Sequence, residues 1–206
     1  MAELSWETIR EYYPRGAEGT DETFLERAVF THGLPKLFYG SLRDERVFEL
    51  VTGTPLEAHS SERVFVPDHK LGRIMTAAGY PGIFPEPGGE VTALLVHDLD
   101  RRQHACIAWY EWDEYRLEHF PLADGRTAEA FVPDVDRIRQ TFGMVDFEPW
   151  SFENWRAVHF EHALTDLKAW MALMPDLAPD DPRLTGDSAL EREDAEQAQE
   201  TLNDVR

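Results

Sequence analysis

Glycine and proline punctuate the chain between Lys36 and Pro133, and this limits its fold more than any other feature. Proline donates no backbone hydrogen bond and glycine weakens regular structure, so a stretch marked this way breaks into short strands. Strands are predicted at Lys36–Tyr39, Arg63–Val66, Arg73–Thr76, Glu90–His97, Tyr115–Leu122 and Thr127–Val132. The segment Tyr80-Pro81-Gly82-Ile83-Phe84-Pro85 reads as a turn, and Asp124-Gly125 as the tip of a hairpin. Two helices fit between the strands. One runs from about Leu42 to Thr52 and stops at Gly53, a suitable C′ residue, and the other covers Asp100 to Trp109. Many short strands with inserted helices give an α+β chain built on a small mixed β-barrel.

The flanks have a different texture. Residues 3–30 look helical in two pieces split by Pro14-Arg15-Gly16, the second capped by Asp21 with Phe24, Leu25, Ala28 and Val29 on one face. After Pro149, residues Trp155, Val158, Leu164, Leu167, Met171 and Met174 recur at helical spacing. They predict one amphipathic helix over 151–174, lying across the barrel or forming a homodimer contact. From Pro175 to Arg206 there are ten acids and three bases, which predicts a solvated tail with a frayed helix over 189–203. The organisation is therefore a helical extension (1–34), a barrel (35–133), a C-terminal helical segment (134–174) and an acidic tail (175–206).

The formal charge of −20 argues against a nucleic-acid partner, because phosphate binding requires a positive surface. No apolar run approaches the ~18 residues that a membrane span needs. The N-terminus carries early acids rather than an apolar h-region, and Cys106 is the single cysteine. A cytoplasmic protein without a membrane partner is the expectation.

At Tyr39-Gly40-Ser41-Leu42 a strand runs through a glycine directly into a helix. Gly40 permits a sharp turn and close approach of a ligand to the backbone. Ser41, three residues before Asp44, is placed to cap the helix. The first helical N–H groups then point outward beside the positive end of the macrodipole. They suit a carboxylate, or a carbonyl oxygen that gains negative charge. Such a turn taken alone is more often a connection than a site.

Further segments follow it in order. Residues 36–53, with Lys36-Leu37-Phe38-Tyr39-Gly40-Ser41-Leu42 at their head, resemble the opening strand and loop of the γ-glutamylcyclotransferase-like family. Gly79 to Pro85 is similar to that family's Tyr-Pro-Gly segment, and Gly88-Gly89-Glu90-Val91 to the turn into its next strand. Trp109-Tyr110-Glu111 followed by Tyr115-Arg116 resembles its Tyr-Glu-Gly…Tyr-Arg element. Ala128-Glu129-Ala130-Phe131 falls where its final barrel strand lies. The resemblance spans residues 36–133. It implies that Tyr39, Gly40, Ser41 and Leu42 hold a γ-glutamyl group through backbone donors, and that Glu111 is the general acid/base. It also implies a small-molecule γ-glutamyl substrate that cyclises to 5-oxoproline, with no metal or other cofactor. The substrate's own amine is the nucleophile, so one glutamate can move the protons. Trp109, Tyr110 and Trp112 would give it apolar surroundings. Three positions depart from the pattern: Trp112 replaces the glycine after the glutamate, Thr92 and Ala93 stand where a strand glycine is usual, and Phe131 replaces a tyrosine.

Other constellations carry less. His159 and His162 do not form a His-Glu-x-x-His pair, and His97-Asp98-Leu99-Asp100 lacks the spacing of a calcium loop. Cys106 reads as a core residue, and Gly40-Ser41-Leu42 is not a nucleophile elbow. Two non-enzymatic readings remain beside the enzyme: a small-molecule-binding module on the same fold, and an interaction protein using the 151–174 helix.

Overall fold

The computed structural model of the chain describes residues 34–74, 80–112, 114–134 and 147–178. The expected N-terminal helices over 3–30 and the tail beyond residue 178 lie outside the described residues. Six strands form one mixed sheet: β1 (Lys36–Phe38), β2 (Ser61–Ile74), β3 (Pro81–Val96), β4 (Tyr115–Pro121), β5 (Thr127–Pro133) and β6 (Phe147–Pro149). Helix α1 (Glu45–Thr52) follows β1, and α2 (Arg101–Glu111) joins β3 to β4. Helices α3 (Phe152–Val158) and α4 (Phe160–Met171) come last among the described residues.

The strand order is β4-β5-β1-β3-β2-β6, with β1 antiparallel to β3 and parallel to β5. The α+β class and the mixed sheet agree with the sequence reading, but the sheet is not a closed barrel. Its ends, β4 and β6, lie at opposite edges. The sheet curls instead, bringing the β4–β5 hairpin near β2, where the Ala123 N–H donates to the Phe65 carbonyl at 3.3 Å. Leu37, Val64, Val66, Ala93, Leu95 and Ala130 fill the inside of the curl. The other face carries Phe38 and Phe131 against the helices. Alternation of side chains along each strand divides the two cores.

The largest local departure is in β2 and β3. Separate strands at Arg63–Val66 and Arg73–Thr76 and a turn at Tyr80–Pro85 were expected. Instead β2 and β3 pair from Ser61 opposite Val96 to Arg73 opposite Pro81, with a register shift between Pro67 and His69. Asp68 has φ 56° at the shift, and its carboxylate accepts the Gly88 N–H at 2.8 Å. The prolines and glycines here mark a bulge within a ladder, not its end.

Helix ends follow local chemistry closely. Asp100 and Gln103 form a capping box at the start of α2, and Gly53 closes α1 at φ 74°. Helix α2 runs on to Glu111, past the expected end at Trp109. The single helix expected over 151–174 is broken at His159 into α3 and α4. The break takes Val158 out of the apolar stripe and leaves it 65 % exposed. Trp155, Phe160, Leu164 and Leu167 are buried in this chain's own core. Leu177 is buried as well, and its carbonyl accepts from Arg102 Nε at 3.2 Å, so residues beyond 175 still pack on the body.

One polar pair sits inside this core. Lys36 is 2 % exposed and pairs with the buried Glu129 carboxylate, directly across the β1–β5 register. His119 Nε2 lies 3.1 Å from the other Glu129 oxygen. Burial holds the Lys36 ammonium below its ordinary range, against the opposing effect of Glu129. Replacing Lys36 alone with Met strands a buried carboxylate, at an expected cost of about 3–5 kcal/mol in urea denaturation. Adding Glu129→Leu is expected to restore most of that loss, because the pair together is worth far less than either charge left alone.

Candidate functional site

A cavity of about 320 Å³ opens between the helix-facing side of the sheet and the C-terminal helices. One wall is the segment from Tyr39 to Leu42, which leaves β1 as a 3-10 turn over Ser41–Arg43. The turn's own bonds run from the Arg43 N–H to the Gly40 carbonyl (3.2 Å) and from the Asp44 N–H to the Ser41 carbonyl (2.9 Å). The N–H groups of Gly40, Ser41 and Leu42 precede those bonds and have no partner within the turn.

Ser41 does not cap a helix, contrary to expectation. Asp44 caps α1 by accepting from the Arg46 N–H at 3.0 Å, and Ser41 is buried with Oγ 2.5 Å from the Tyr110 hydroxyl. A carboxylate that begins the true helix outcompetes a hydroxyl that finds a partner in the core. Gly40 is required, but not for backbone freedom. A Cβ there would lie 2.6 Å from Pro81 Cγ, so the missing side chain lets the Tyr80–Pro81 segment close over the turn. The Tyr-Pro-Gly segment, expected as a turn, thus packs on the loop as it enters a strand.

The second wall is the end of α2. Glu111, its last residue, lines the same cavity as the Tyr39–Leu42 turn. Four tyrosines surround this region: Tyr39, Tyr80, Tyr110 and Tyr115. The Tyr39 hydroxyl donates to the Phe131 carbonyl at 2.6 Å, and the Tyr115 hydroxyl to the Pro81 carbonyl at 2.8 Å. Burial pushes the phenols of Tyr39, Tyr110 and Tyr115 well above their ordinary range, and the Glu111 charge adds to it in each. The Tyr80 phenol rises to about 12 through burial and the charges of Glu114, Asp166 and Glu111. All four are neutral near pH 7, so hydroxyl groups border the cavity beside the Glu111 carboxylate.

Trp112 and Phe131, two of the departures from the family pattern, also line the cavity. Trp112 has φ 48° and ψ −163°, a conformation that suits the glycine it replaces. It does not fill the cavity. Its ring packs edge-on against Trp109 and Trp170, at 5.0 Å from each. Trp109 itself lies in the core, stacked on Trp170 at 5.3 Å. Phe131 supplies no hydroxyl, but its carbonyl anchors that of Tyr39.

The third wall comes from α4 through Ala163, Asp166, Leu167 and Trp170. Lys36 and Glu129 also line the cavity. Sequence reasoning missed the α4 wall and the buried pair, because nothing local ties residues near 166 to a loop near 40. Tyr110 was expected only as apolar surroundings for Glu111, and Tyr115 stood in a recognised motif without a role at the site. Cys106 is buried in the core as read, and burial pushes its thiol up. Of the two histidines set aside, His162 lies 3.5 Å from Asp166.

The model of the family described as γ-glutamyl cyclotransferase, AIG2-like, matches residues 37–148. The chain belongs to that family. No curated protein matches. Among solved structures, one from Arabidopsis thaliana shares 16% identity, covering 66% of this chain and 79% of its own, with a TM-score of 0.44. A γ-glutamyl cyclotransferase shares 16% over 79% of this chain and 96% of its own, at 0.39. A uropathogenic E. coli-specific protein shares 14% over 60% and 93%, at 0.42. Among the described residues no helix is long and apolar enough to cross a membrane.

Two outcomes follow from this geometry. Gly40→Ala forces its Cβ into the Pro81 ring, and a loss of about 1–3 kcal/mol is expected in chemical denaturation. The raised phenols bind protons more tightly folded than unfolded. Their contribution to stability is complete below pH ~10, the phenol value in an unfolded chain, and is lost as pH rises through the folded values. Denaturation midpoints measured from pH 9 to 12 should fall progressively, and Tyr80→Phe should flatten the fall.

Proposed function

We propose that this chain cyclises a γ-glutamyl amine, amide or peptide to 5-oxoproline and a free amine, with Glu111 as general acid/base. The observation that carries the reading is the meeting of Glu111 with the Tyr39–Leu42 turn in one cavity. The family model covers both, which supports the same chemistry.

The donors of the turn suit the γ-glutamyl group, whose carbonyl oxygen gains negative charge as the ring closes. Glu111 takes a proton from the substrate's α-ammonium. The freed nitrogen lone pair forms a bond to the γ-carbonyl carbon, and the bond from that carbon to the departing nitrogen breaks. Across the reaction two protons leave the α-nitrogen and two reach the departing amine, so no water is consumed. The nucleophile is tethered to its target, which supplies much of the rate. The Tyr39 and Tyr115 hydroxyls already donate to main-chain carbonyls, so toward a substrate they can only accept, as from its ammonium, while the surrounding aromatic surface restricts water.

The test is a panel of γ-glutamyl compounds with 5-oxoproline as the readout. Wild-type protein is expected to release it. Glu111→Gln, which keeps the shape and removes the base, should lower kcat by about 10²–10⁴-fold. Turnover by that variant at the wild-type rate removes the proposed role.

A further inference from the structure

Two hydroxyl groups on the cavity wall hold more protons than the protein around them accepts. Ser41 Oγ and the Tyr110 hydroxyl lie 2.5 Å apart, and the bond between them uses one of their two O–H protons. Among the described residues neither hydroxyl has a second hydrogen-bond partner. One proton is therefore left over. It lies where Ser41 is only 6 % exposed and where both residues line the cavity. Buried donors are rarely without an acceptor, so an unused one beside a cavity marks a place for an acceptor on a ligand. The neighbouring phenols differ from this pair. Tyr39 and Tyr115 give their protons to the carbonyls of Phe131 and Pro81, and Tyr80 is exposed enough to give its own to solvent.

Chemistry places the surplus proton. The aromatic ring draws electron density from the phenolic oxygen, which makes the phenol the better donor of the two and the poorer acceptor. Tyr110 then donates to Ser41 Oγ, and the seryl O–H is left for the cavity. Burial and the Glu111 charge hold the Tyr110 phenol above its ordinary range, so it keeps its proton at neutral pH. We propose that Ser41 donates its O–H to the γ-carbonyl oxygen of the substrate, with Tyr110 behind it as a positioning residue. This inference rests on the function proposed above and gives the Ser41 side chain a part in it. The bond that Ser41 Oγ accepts polarises the one it donates. The donated bond strengthens as the carbonyl oxygen gains negative charge, so it lowers the barrier more than it tightens substrate binding. The proton stays on Ser41 throughout, no bond forms between Ser41 and carbon, and Glu111 remains the group that transfers protons.

The test compares Ser41→Ala with Tyr110→Phe in the full chain, on the γ-glutamyl compound that wild-type protein cyclises fastest. Ser41→Ala removes the donor and is expected to lower kcat about 10²-fold with KM nearly unchanged. Tyr110→Phe leaves the seryl proton in place and loses only its polarising partner, so kcat should fall about fivefold, the worth of one neutral hydrogen bond. If the pair serves only to tie the turn to α2, both variants break the same bond and lose the same activity, and that result overturns the inference. A higher KM with unchanged kcat in Ser41→Ala overturns it too, because the proton then meets a group whose charge does not change. A second reading uses 5-oxoproline isotopically labelled at its ring carbonyl, which is the former γ-carbonyl. In infrared difference spectra of the bound compound, Ser41→Ala is expected to move the carbonyl stretch to higher frequency and Tyr110→Phe to move it less. An unmoved stretch overturns the donor. If no γ-glutamyl compound is cyclised, the proposed function fails, and the infrared shift alone decides whether Ser41 donates in the cavity. Absence of both turnover and 5-oxoproline binding removes both.

Discussion

The two halves of the sheet are hydrogen-bonded to each other through β1, whose three residues pair with β3 on one side and β5 on the other. A strand this short gains little from its own propensity and is fixed by what it touches. Leu37 enters the inner core of the curl, Phe38 the core beneath the helices, and Lys36 meets Glu129 across the register. The ion pair adds specificity more than net stability, since any slip of β5 against β1 would separate two buried charges. The site depends on that register. The Tyr39–Leu42 turn leaves the end of β1, and the partner of its buried Ser41 is Tyr110, one residue before Glu111.

What the sequence made legible was local. The hairpin at Asp124-Gly125 and the stop at Gly53 are each decided by a few neighbouring residues and lie where they were expected, and the helix expected from Asp100 begins there because Asp100 and Gln103 form a capping box. Features set by distant parts of the chain were read less well. Pro67, Pro85 and Gly88 carry the usual signs of strand termination, yet the long pairing of β2 with β3 absorbs them as a bulge. The periodicity over 151–174 hid the break at His159, because Trp155 and Phe160 on either side of it enter the same core. Closure of the sheet was inferred from strand number alone, which does not fix whether the edges meet.

The candidate site shows the same division. Glu111 and the turn were legible because the family pattern preserves their order along the chain. The ring of tyrosine hydroxyls and the wall from α4 depend on how α2 and α4 lie over the sheet, which no spacing records. Trp112 is the instructive exception. Its departure from glycine was visible, and crowding of the cavity was the natural inference. The structure instead keeps the backbone conformation of a glycine and turns the indole aside, where Trp109 and Trp170 receive it. Ring packing of this size offsets a backbone strain of about 1–3 kcal/mol.

That aromatic cluster gives the protein an optical property. Trp109 and Trp170 are stacked at 5.3 Å with Trp112 edge-on to both, and the latter two border the cavity. Indoles so close and so fixed couple their electronic transitions, so the seating of α4 on α2 is written into the near-ultraviolet circular dichroism of the chain. A molecule entering the cavity changes the surroundings of two of the three rings, and reports its own arrival without any label.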